Sequence, residues 1–318
     1  MQARSALTSI VLAALAGAVG GCAGYQADLE AHEERVAAEH RIADTAMGPI
    51  QYAEAGSGPP VLVIHGSGGG FDQGMLLAGA LVDGDHRVVA PSRFGYLGTP
   101  LPADAGPRAQ AEAYVALLDS LGIEQTAVLS FSAGAPSALA LAKRWPERVS
   151  AVALLVPALG PTESPFGRLV MYMPFLFDMV RGVGDYGYWA ANRVSRPLVF
   201  RLVGVYPEVA AAAPREEREF ATRMLDEVHP IERRIDGVET DVRVLRALAD
   251  PDLADLEVPL LVICARDDLL VGCTPAEQIA GAAPQAQLEH FDRGGHLLLG
   301  RHSVVRAILR EFFTGADS

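Results

Sequence analysis

A serine at the apex of a strand–turn–helix pattern is well placed to act as a nucleophile. The apolar run Thr126–Leu129 predicts a buried strand, and a helical run follows the turn S-F-S-A-G at residues 130–134. The turn matches the pattern G-x-S-x-G, except that Ser130 occupies the first glycine position, where a small residue still fits. The pattern predicts that Ser132 presents its hydroxyl beside the backbone N–H of Ala133. An ordinary strand-to-helix turn containing a serine is the alternative.

A glycine-rich loop is predicted to stabilise a negatively charged intermediate. His65-Gly-Ser-Gly-Gly-Gly70 directly follows the apolar run Val61–Ile64, which predicts a buried strand. Glycines let backbone N–H groups point at a ligand, so we expect the amide of Ser67 or Gly68 to act with that of Ala133 as an oxyanion hole. The loop lacks the Lys-Ser/Thr of a P-loop and does not read G-x-G-x-x-G, which disfavours a phosphate site. His65 is predicted to hold the loop in place.

Two carboxylates and a histidine follow predicted strands near the end of the chain. Asp267 and Asp268 come after the apolar run Val258–Cys264, and His296 comes after the last predicted strand. Functional groups collect at the carboxyl ends of parallel strands. A histidine can take the proton of a serine hydroxyl and return it to a leaving group, while an aspartate orients the imidazole. Ser132, one of the two aspartates and His296 are therefore predicted to form a triad.

The elements that must position these residues alternate between strand and helix. This alternation indicates an α/β fold with a mostly parallel central sheet, covered by helices on both faces and joined by right-handed crossovers. The predicted strands are Val61–Ile64, His86–Ala90, Thr126–Leu129, Arg148–Val156, Val258–Cys264 and Gln287–Phe291. The predicted helices are Met75–Leu81, Ala109–Leu121, Ala135–Trp145, Arg215–Val228 and His302–Phe313.

The middle of the chain differs from the rest. From Pro161 to about Pro251 it lacks buried-strand signals, is predicted mostly helical, and includes the aromatic and methionine-rich stretch Phe166–Phe177. Its length favours an inserted helical cap over ordinary crossover helices. The predicted organisation is a signal peptide at 1–21, a tether at 22–41, a core at 42–160 and 251–318, and the cap at 161–250.

Four of these features together resemble the α/β-hydrolase superfamily, in its proline-iminopeptidase-like and esterase-like branch with a helical cap. The resemblance covers about residues 45–314 and rests on His65-Gly66 with its glycines, Ser130–Gly134, Ala265–Asp268 and Gly295-His296. It implies an α/β-hydrolase fold and the chain order Ser…Asp…His. The family's loop G-x-x-D-x-x-x-P reads Ala265-Arg-Asp-Asp268 here, with Gly272 in place of proline. This alignment favours Asp268 over Asp267 as the triad acid.

The resemblance and the residues together predict a serine hydrolase of carboxylic esters or related acyl compounds, acting through an acyl-enzyme. Serine at position 132 excludes relatives of this fold that use a carboxylate nucleophile. One alternative is an aminopeptidase of the proline iminopeptidase type, which needs acidic residues to bind an amine; Glu216, Glu217 and Asp226 are candidates. The other is a catalytically inactive binding lipoprotein. Arg93 could contact substrate or brace its loop.

The N-terminus resembles that of a bacterial lipoprotein. Ala6–Val19 is an apolar run of the length of a secretory signal and too short for a membrane-spanning helix. The run ends in Val19-Gly20-Gly21-Cys22, which is similar to a lipobox, in which the cysteine is acylated. We therefore expect an exported protein held on a membrane through a lipid anchor at Cys22. A signal peptide cleaved at small residues, with Cys22 incidental, is the alternative.

Composition narrows the classes of partner. The 318 residues have a formal net charge of −13 and no basic block, which argues against nucleic acid. We expect a small-molecule acyl substrate, no metal and no cofactor. Cys264 and Cys273 could pair in an exported protein, but we favour two free cysteines that pack as small hydrophobes.

Overall fold

The computed structural model describes residues 21, 23–160, 168, 185–248 and 252–316. The chain divides into two compact units, Met1–Glu39 and His40–Ser318. In the first unit, residues 23–39 are helical. Cys22 and the predicted signal peptide, except for Gly21, lie outside the described residues. None of the helices in the described part of the chain has the length and hydropathy that crossing a bilayer requires.

The second unit is built on an eight-stranded sheet. Its strands are β1 Arg41–Thr45, β2 Gly48–Ala55, β3 Pro60–Ile64, β4 Arg87–Pro91, β5 Thr126–Phe131, β6 Val149–Leu155, β7 Leu260–Ala265 and β8 Ala286–Phe291. Their order in the sheet is β1-β2-β4-β3-β5-β6-β7-β8. β1 and β2 form an antiparallel hairpin, β2 also pairs antiparallel with β4, and all later neighbours are parallel. The predicted parallel sheet is therefore present, with one antiparallel edge.

Helices cover both faces of this sheet because its strands are apolar on both sides. The helices described in this unit are α1 Phe71–Leu81, α2 Pro107–Ser120, α3 Ala135–Arg144, α4 Asp185–Val194, α5 Arg196–Leu202, α6 Pro207–Ala212, α7 Arg215–Asp226, α8 Ile235–Ala247, α9 Thr274–Ala282 and α10 His302–Ala316. Leu62 of β3 packs into a core with helices α2, α3 and α9, whereas Val61 packs into a second core with α1 and α10. Alternate residues of a strand point to opposite faces, so one strand contributes to both cores.

Helices α4 to α8 lie between β6 and β7 in the chain, where an inserted helical segment is predicted. We call residues 185–248 the inserted segment. Its assignment as a cap stays a prediction, and the aromatic stretch Phe166–Phe177 lies outside the described residues apart from Arg168.

Cys264 and Cys273 form a disulfide, so the favoured prediction of two free cysteines is wrong. Cys264 lies near the end of β7, and Cys273 immediately precedes α9. The intervening loop turns back on itself and brings the two Cα atoms to 5.4 Å, a distance that a disulfide can span. The loop closed in this way carries both aspartates considered for the triad.

Candidate active site

The turn after β5 holds Ser132 in a strained conformation. Ser132 has φ of 50°, a value uncommon for residues other than glycine, and it begins the short helical turn Ser132–Gly134. Strand and helix are packed so closely here that a Cβ added at Gly134 would lie 2.8 Å from Ile64 Cγ2. A Cβ at Gly66 would likewise lie 2.8 Å from Phe131 Cδ1. The small residues in the two motifs are therefore required by packing around Ser132.

Three predicted side chains meet at the carboxyl edge of the sheet. The Ser132 hydroxyl donates to His296 Nε2 at 2.9 Å, and His296 Nδ1–H donates to Asp268 Oδ2 at 2.7 Å. All three residues are buried. The other carboxylate oxygen of Asp268 accepts from the backbone N–H groups of Leu270 at 2.7 Å and Val271 at 3.2 Å. This arrangement holds the imidazole so that its free nitrogen faces the serine hydroxyl.

Asp267 has a different set of partners. Its Oδ1 accepts hydrogen bonds from the backbone N–H groups of Gly294 at 2.9 Å and Gly295 at 2.8 Å. These glycines directly precede His296, so Asp267 fixes the loop that carries the histidine. Of the two aspartates that the sequence leaves open, only Asp268 contacts the imidazole.

The glycine-rich loop faces the same cavity as the serine. Ser67 and Gly68 line this cavity together with Ser132, and Gly68 has φ of 75°. The Gly68 N–H donates to Tyr96 Oη at 3.4 Å, and Ser67 Oγ lies 3.4 Å from the same oxygen. Tyr96 in turn donates to Asp241 Oδ2 at 2.5 Å. Burial raises the pKa of Tyr96, and Asp241 raises it further, so the side chain stays a neutral donor.

His65 supports the loop, as predicted. With its proton on Nδ1, the imidazole donates to the Gly66 carbonyl at 2.7 Å and accepts from the Arg93 backbone N–H at 2.9 Å on Nε2. Burial lowers the pKa of His65 well below its ordinary value of 6.5, and the Arg93 guanidinium adds to this effect. A neutral imidazole with both nitrogens engaged is suited to a structural role.

Two buried ion pairs connect the core to the inserted segment. Arg93 binds both oxygens of Asp241 in α8 at 2.6 and 2.7 Å, so it braces its loop. Arg234, which directly precedes α8, binds both oxygens of Asp72 at 3.1 and 2.7 Å. Arg234 also donates to the Gly69 carbonyl at 2.7 Å. These contacts were not predicted, because each joins residues about 150 or more positions apart, where no local pattern links them.

A cavity of about 390 Å³ opens beside Ser132 and His296. Its lining is mainly apolar and includes Phe131, Leu202, Val203, Met224, Leu225 and Val238. None of the described residues that line it is acidic. Glu217, one of the candidates for binding a substrate amine, is buried and instead accepts a hydrogen bond from the Gly300 N–H. The cavity suits an apolar group bound next to the serine hydroxyl.

Comparisons with known proteins agree with this architecture. A family model described as the alpha/beta hydrolase fold matches residues 59–302. The 2-hydroxymuconate semialdehyde hydrolase of Pseudomonas putida is 30% identical over 276 residues, which cover 83% of this chain and 90% of the relative. An alpha/beta hydrolase fold protein from Nakamurella multipartita has a TM-score of 0.69 at 26% identity, covering 87% of this chain and 100% of that chain.

A thermophilic esterase from Thermogutta terrifontis shares the fold, with a TM-score of 0.63 at 20% identity, covering 88% of this chain and 100% of that chain. The superfamily predicted from the motifs is therefore confirmed. This chain belongs to the alpha/beta hydrolase fold family and is a hydrolase of that fold.

Proposed function

We propose that this protein is a serine hydrolase of carboxylic esters or closely related acyl compounds, with Ser132, His296 and Asp268 as its triad. The observation that carries the proposal is the continuous hydrogen-bond chain from the Ser132 hydroxyl through His296 to Asp268, at 2.9 and 2.7 Å. An inactive binding protein has no need of this chain or of a strained serine at the turn.

In the proposed reaction, His296 Nε2 takes the hydroxyl proton as Ser132 Oγ attacks the substrate carbonyl carbon. The carbonyl oxygen becomes negatively charged and accepts hydrogen bonds from the Ala133 N–H and from the glycine-rich loop. Gly68 N–H already donates to Tyr96, so Ser67 N–H is our preferred donor from the loop. His296 then protonates the departing alcohol oxygen, leaving an acyl-enzyme. Water, activated by the same imidazole, releases the acid and restores Ser132.

The cavity supports an apolar acyl group as the substrate class. Apolar side chains form most of its wall, and the only cation among the described residues of that wall, Arg234, is paired with Asp72. The aminopeptidase alternative needs a carboxylate to bind the substrate amine. Glu216, Glu217 and Asp226, the candidates for that role, are not among the residues that line the cavity. An ester of a neutral, apolar acid fits this wall better.

The proposed activity is tested with p-nitrophenyl esters of increasing acyl length, with proline p-nitroanilide as the competing substrate. We expect the esters to be hydrolysed and Ser132→Ala to lower kcat/KM by at least about a thousandfold. A fluorophosphonate should label wild-type protein at Ser132. Ser303→Ala, which removes an exposed serine of α10, is the matched control and should keep both properties. Near-normal turnover by Ser132→Ala, or hydrolysis of the anilide alone, would refute the proposal.

We also propose that residues 161–250 act as a cap over the core.

We further propose that the protein is exported and anchored to a bacterial membrane by acylation of Cys22. The support for the anchor is the apolar run followed by Val19-Gly20-Gly21-Cys22. Fractionation of cells expressing the full chain tests the anchor. Wild-type protein should sediment with membranes, whereas Cys22→Ser should not be acylated and should leave the membrane fraction; equal membrane retention would contradict the anchor.

A further inference from the structure

The turn between α5 and α6 contacts both loops that carry the histidine and the aspartate of the candidate triad. The backbone carbonyl of Gly204 accepts a hydrogen bond from the His296 N–H at 3.1 Å and another from the Leu269 N–H at 3.1 Å. Leu269 directly follows Asp268 in the chain. A single oxygen atom of the inserted segment therefore ties together the two loops that must keep imidazole and carboxylate in contact.

The same glycine is packed directly against the triad. Gly204 has φ of 81°, in the left-handed region that favours glycine. A Cβ added there would lie 2.6 Å from His296 Cβ and 3.0 Å from Asp268 Oδ1. No side chain fits this position unless the histidine or the aspartate moves.

The turn also forms part of the substrate cavity. Leu202 and Val203, which directly precede Gly204, line the cavity beside Ser132. On the other side, Val205 packs against the histidine loop, since a Cβ at Gly295 would lie 3.1 Å from Val205 Cα. The turn itself is held by a hydrogen bond from Val205 N–H to the Phe200 carbonyl at 2.8 Å. The wall of the cavity and the support of the triad are thus one short piece of chain.

We propose that Gly204 is a positioning residue through which the inserted segment sets the distance between His296 and Ser132. The inference rests on the proposed serine hydrolase activity. It assigns to the inserted segment a part in catalysis in addition to any part in binding, because displacement of the turn moves the base and the acid together.

Gly204→Ala tests the proposal, with Gly122→Ala as the matched control. Gly122 has φ of 64°, is exposed after α2, and has nothing within 4 Å of an added Cβ. Both variants introduce a side chain in the left-handed region, but only the first displaces the triad. We expect Gly204→Ala to lower kcat by at least about a hundredfold, as a shift of about 1 Å in a catalytic group can do, with KM changed by less than about threefold. Gly122→Ala should keep the wild-type kcat.

Folding and function are followed separately. Circular dichroism and thermal unfolding establish that each variant is folded at the assay temperature. If Gly204→Ala is not, Gly295→Ala probes the same contact more mildly, and we expect it to lower kcat by about tenfold at unchanged KM. The inference is overturned if folded Gly204→Ala matches Gly122→Ala, or if only KM rises. Wild-type protein that neither hydrolyses esters nor reacts with a fluorophosphonate would instead refute the proposed function itself.

Discussion

Asp267 and Asp268 are neighbours in the chain and serve different partners. Asp268 accepts a hydrogen bond from His296 Nδ1–H, whereas Asp267 accepts hydrogen bonds from the backbone N–H groups of the two glycines that precede His296. One carboxylate therefore interacts with the imidazole directly, and the other interacts with the backbone that carries it. The distinction depends on which way each side chain leaves the loop, and local sequence does not specify that direction.

Replacing each aspartate by asparagine should separate the two roles. Asp268→Asn removes the charge that stabilises the protonated imidazole and favours the wrong tautomer, so we expect kcat to fall by about 10³- to 10⁴-fold. Asp267→Asn keeps an oxygen that can still accept from Gly294 and Gly295, so we expect a loss below about tenfold. Steady-state ester hydrolysis measures both. Equal losses in the two variants would contradict the assignment of Asp268 as the triad acid.

The candidate catalytic residues could be predicted from the sequence because their motifs are local. The turn around Ser132 and the glycine-rich loop each occupy a few consecutive residues, and the chain order Ser…Asp…His follows from the order of the strands. Tyr96, Asp241, Arg234 and Gly204 were not predicted. Each acts on the site through a partner in another element, and one sequence without its contacts does not pair distant residues.

The β7–α9 loop shows that contacts made through packing of whole elements are also hard to predict from the sequence. The apolar run before this loop predicts a buried strand, and most predicted elements fall within a few residues of those in the structure, whereas α9 was not predicted. The disulfide that closes the loop was judged incorrectly. Two cysteines nine positions apart can pair only if the loop returns to its start, which depends on the packing of α9 against the sheet.

Removing this disulfide should lower stability. For a loop with a sequence separation of 9, the chain-entropy model gives about 2.5 kcal/mol of the free energy of unfolding. We expect a loss of this size in urea unfolding of the Cys264→Ala/Cys273→Ala double variant. Wild-type protein treated with dithiothreitol under unfolding conditions is the control and should behave like the double variant. Thiols titrated at both Cys264 and Cys273 in denatured, unreduced protein, in addition to any at Cys22, would show that the bond is absent.

Across the whole molecule, two buried histidines make stability depend on pH. Burial lowers the pKa of His65 well below 6.5. Burial also lowers the pKa of His302, whose Nε2–H donates a hydrogen bond to the Leu297 carbonyl. Below about pH 6.5 the unfolded chain binds protons that the folded protein excludes. Protonation therefore favours unfolding, and stability falls as pH decreases from 6.5 towards the lowered pKa values.

We expect each of these histidines to reduce the free energy of unfolding by up to about 1.4 kcal/mol per pH unit within that window. Urea unfolding between pH 7.5 and 5 measures the slope. His302→Gln should reduce the slope, and His290→Gln, at an exposed position of β8, is the matched control that should leave it unchanged. A stability that is flat or rises as pH falls from 6.5 would contradict the assignment of neutral buried imidazoles.

The two ion pairs around α8 have a consequence for recombination between relatives. Arg234 and Asp241 belong to the inserted segment, whereas their partners Asp72 and Arg93 belong to the core. A chimera that exchanges only the inserted helices would leave Asp72 and Arg93 as lone buried charges unless the donor carries matching partners, at a cost of about 3–5 kcal/mol for each broken pair. A chimera that exchanges the inserted helices must therefore also carry core residues that pair with them if it is to fold.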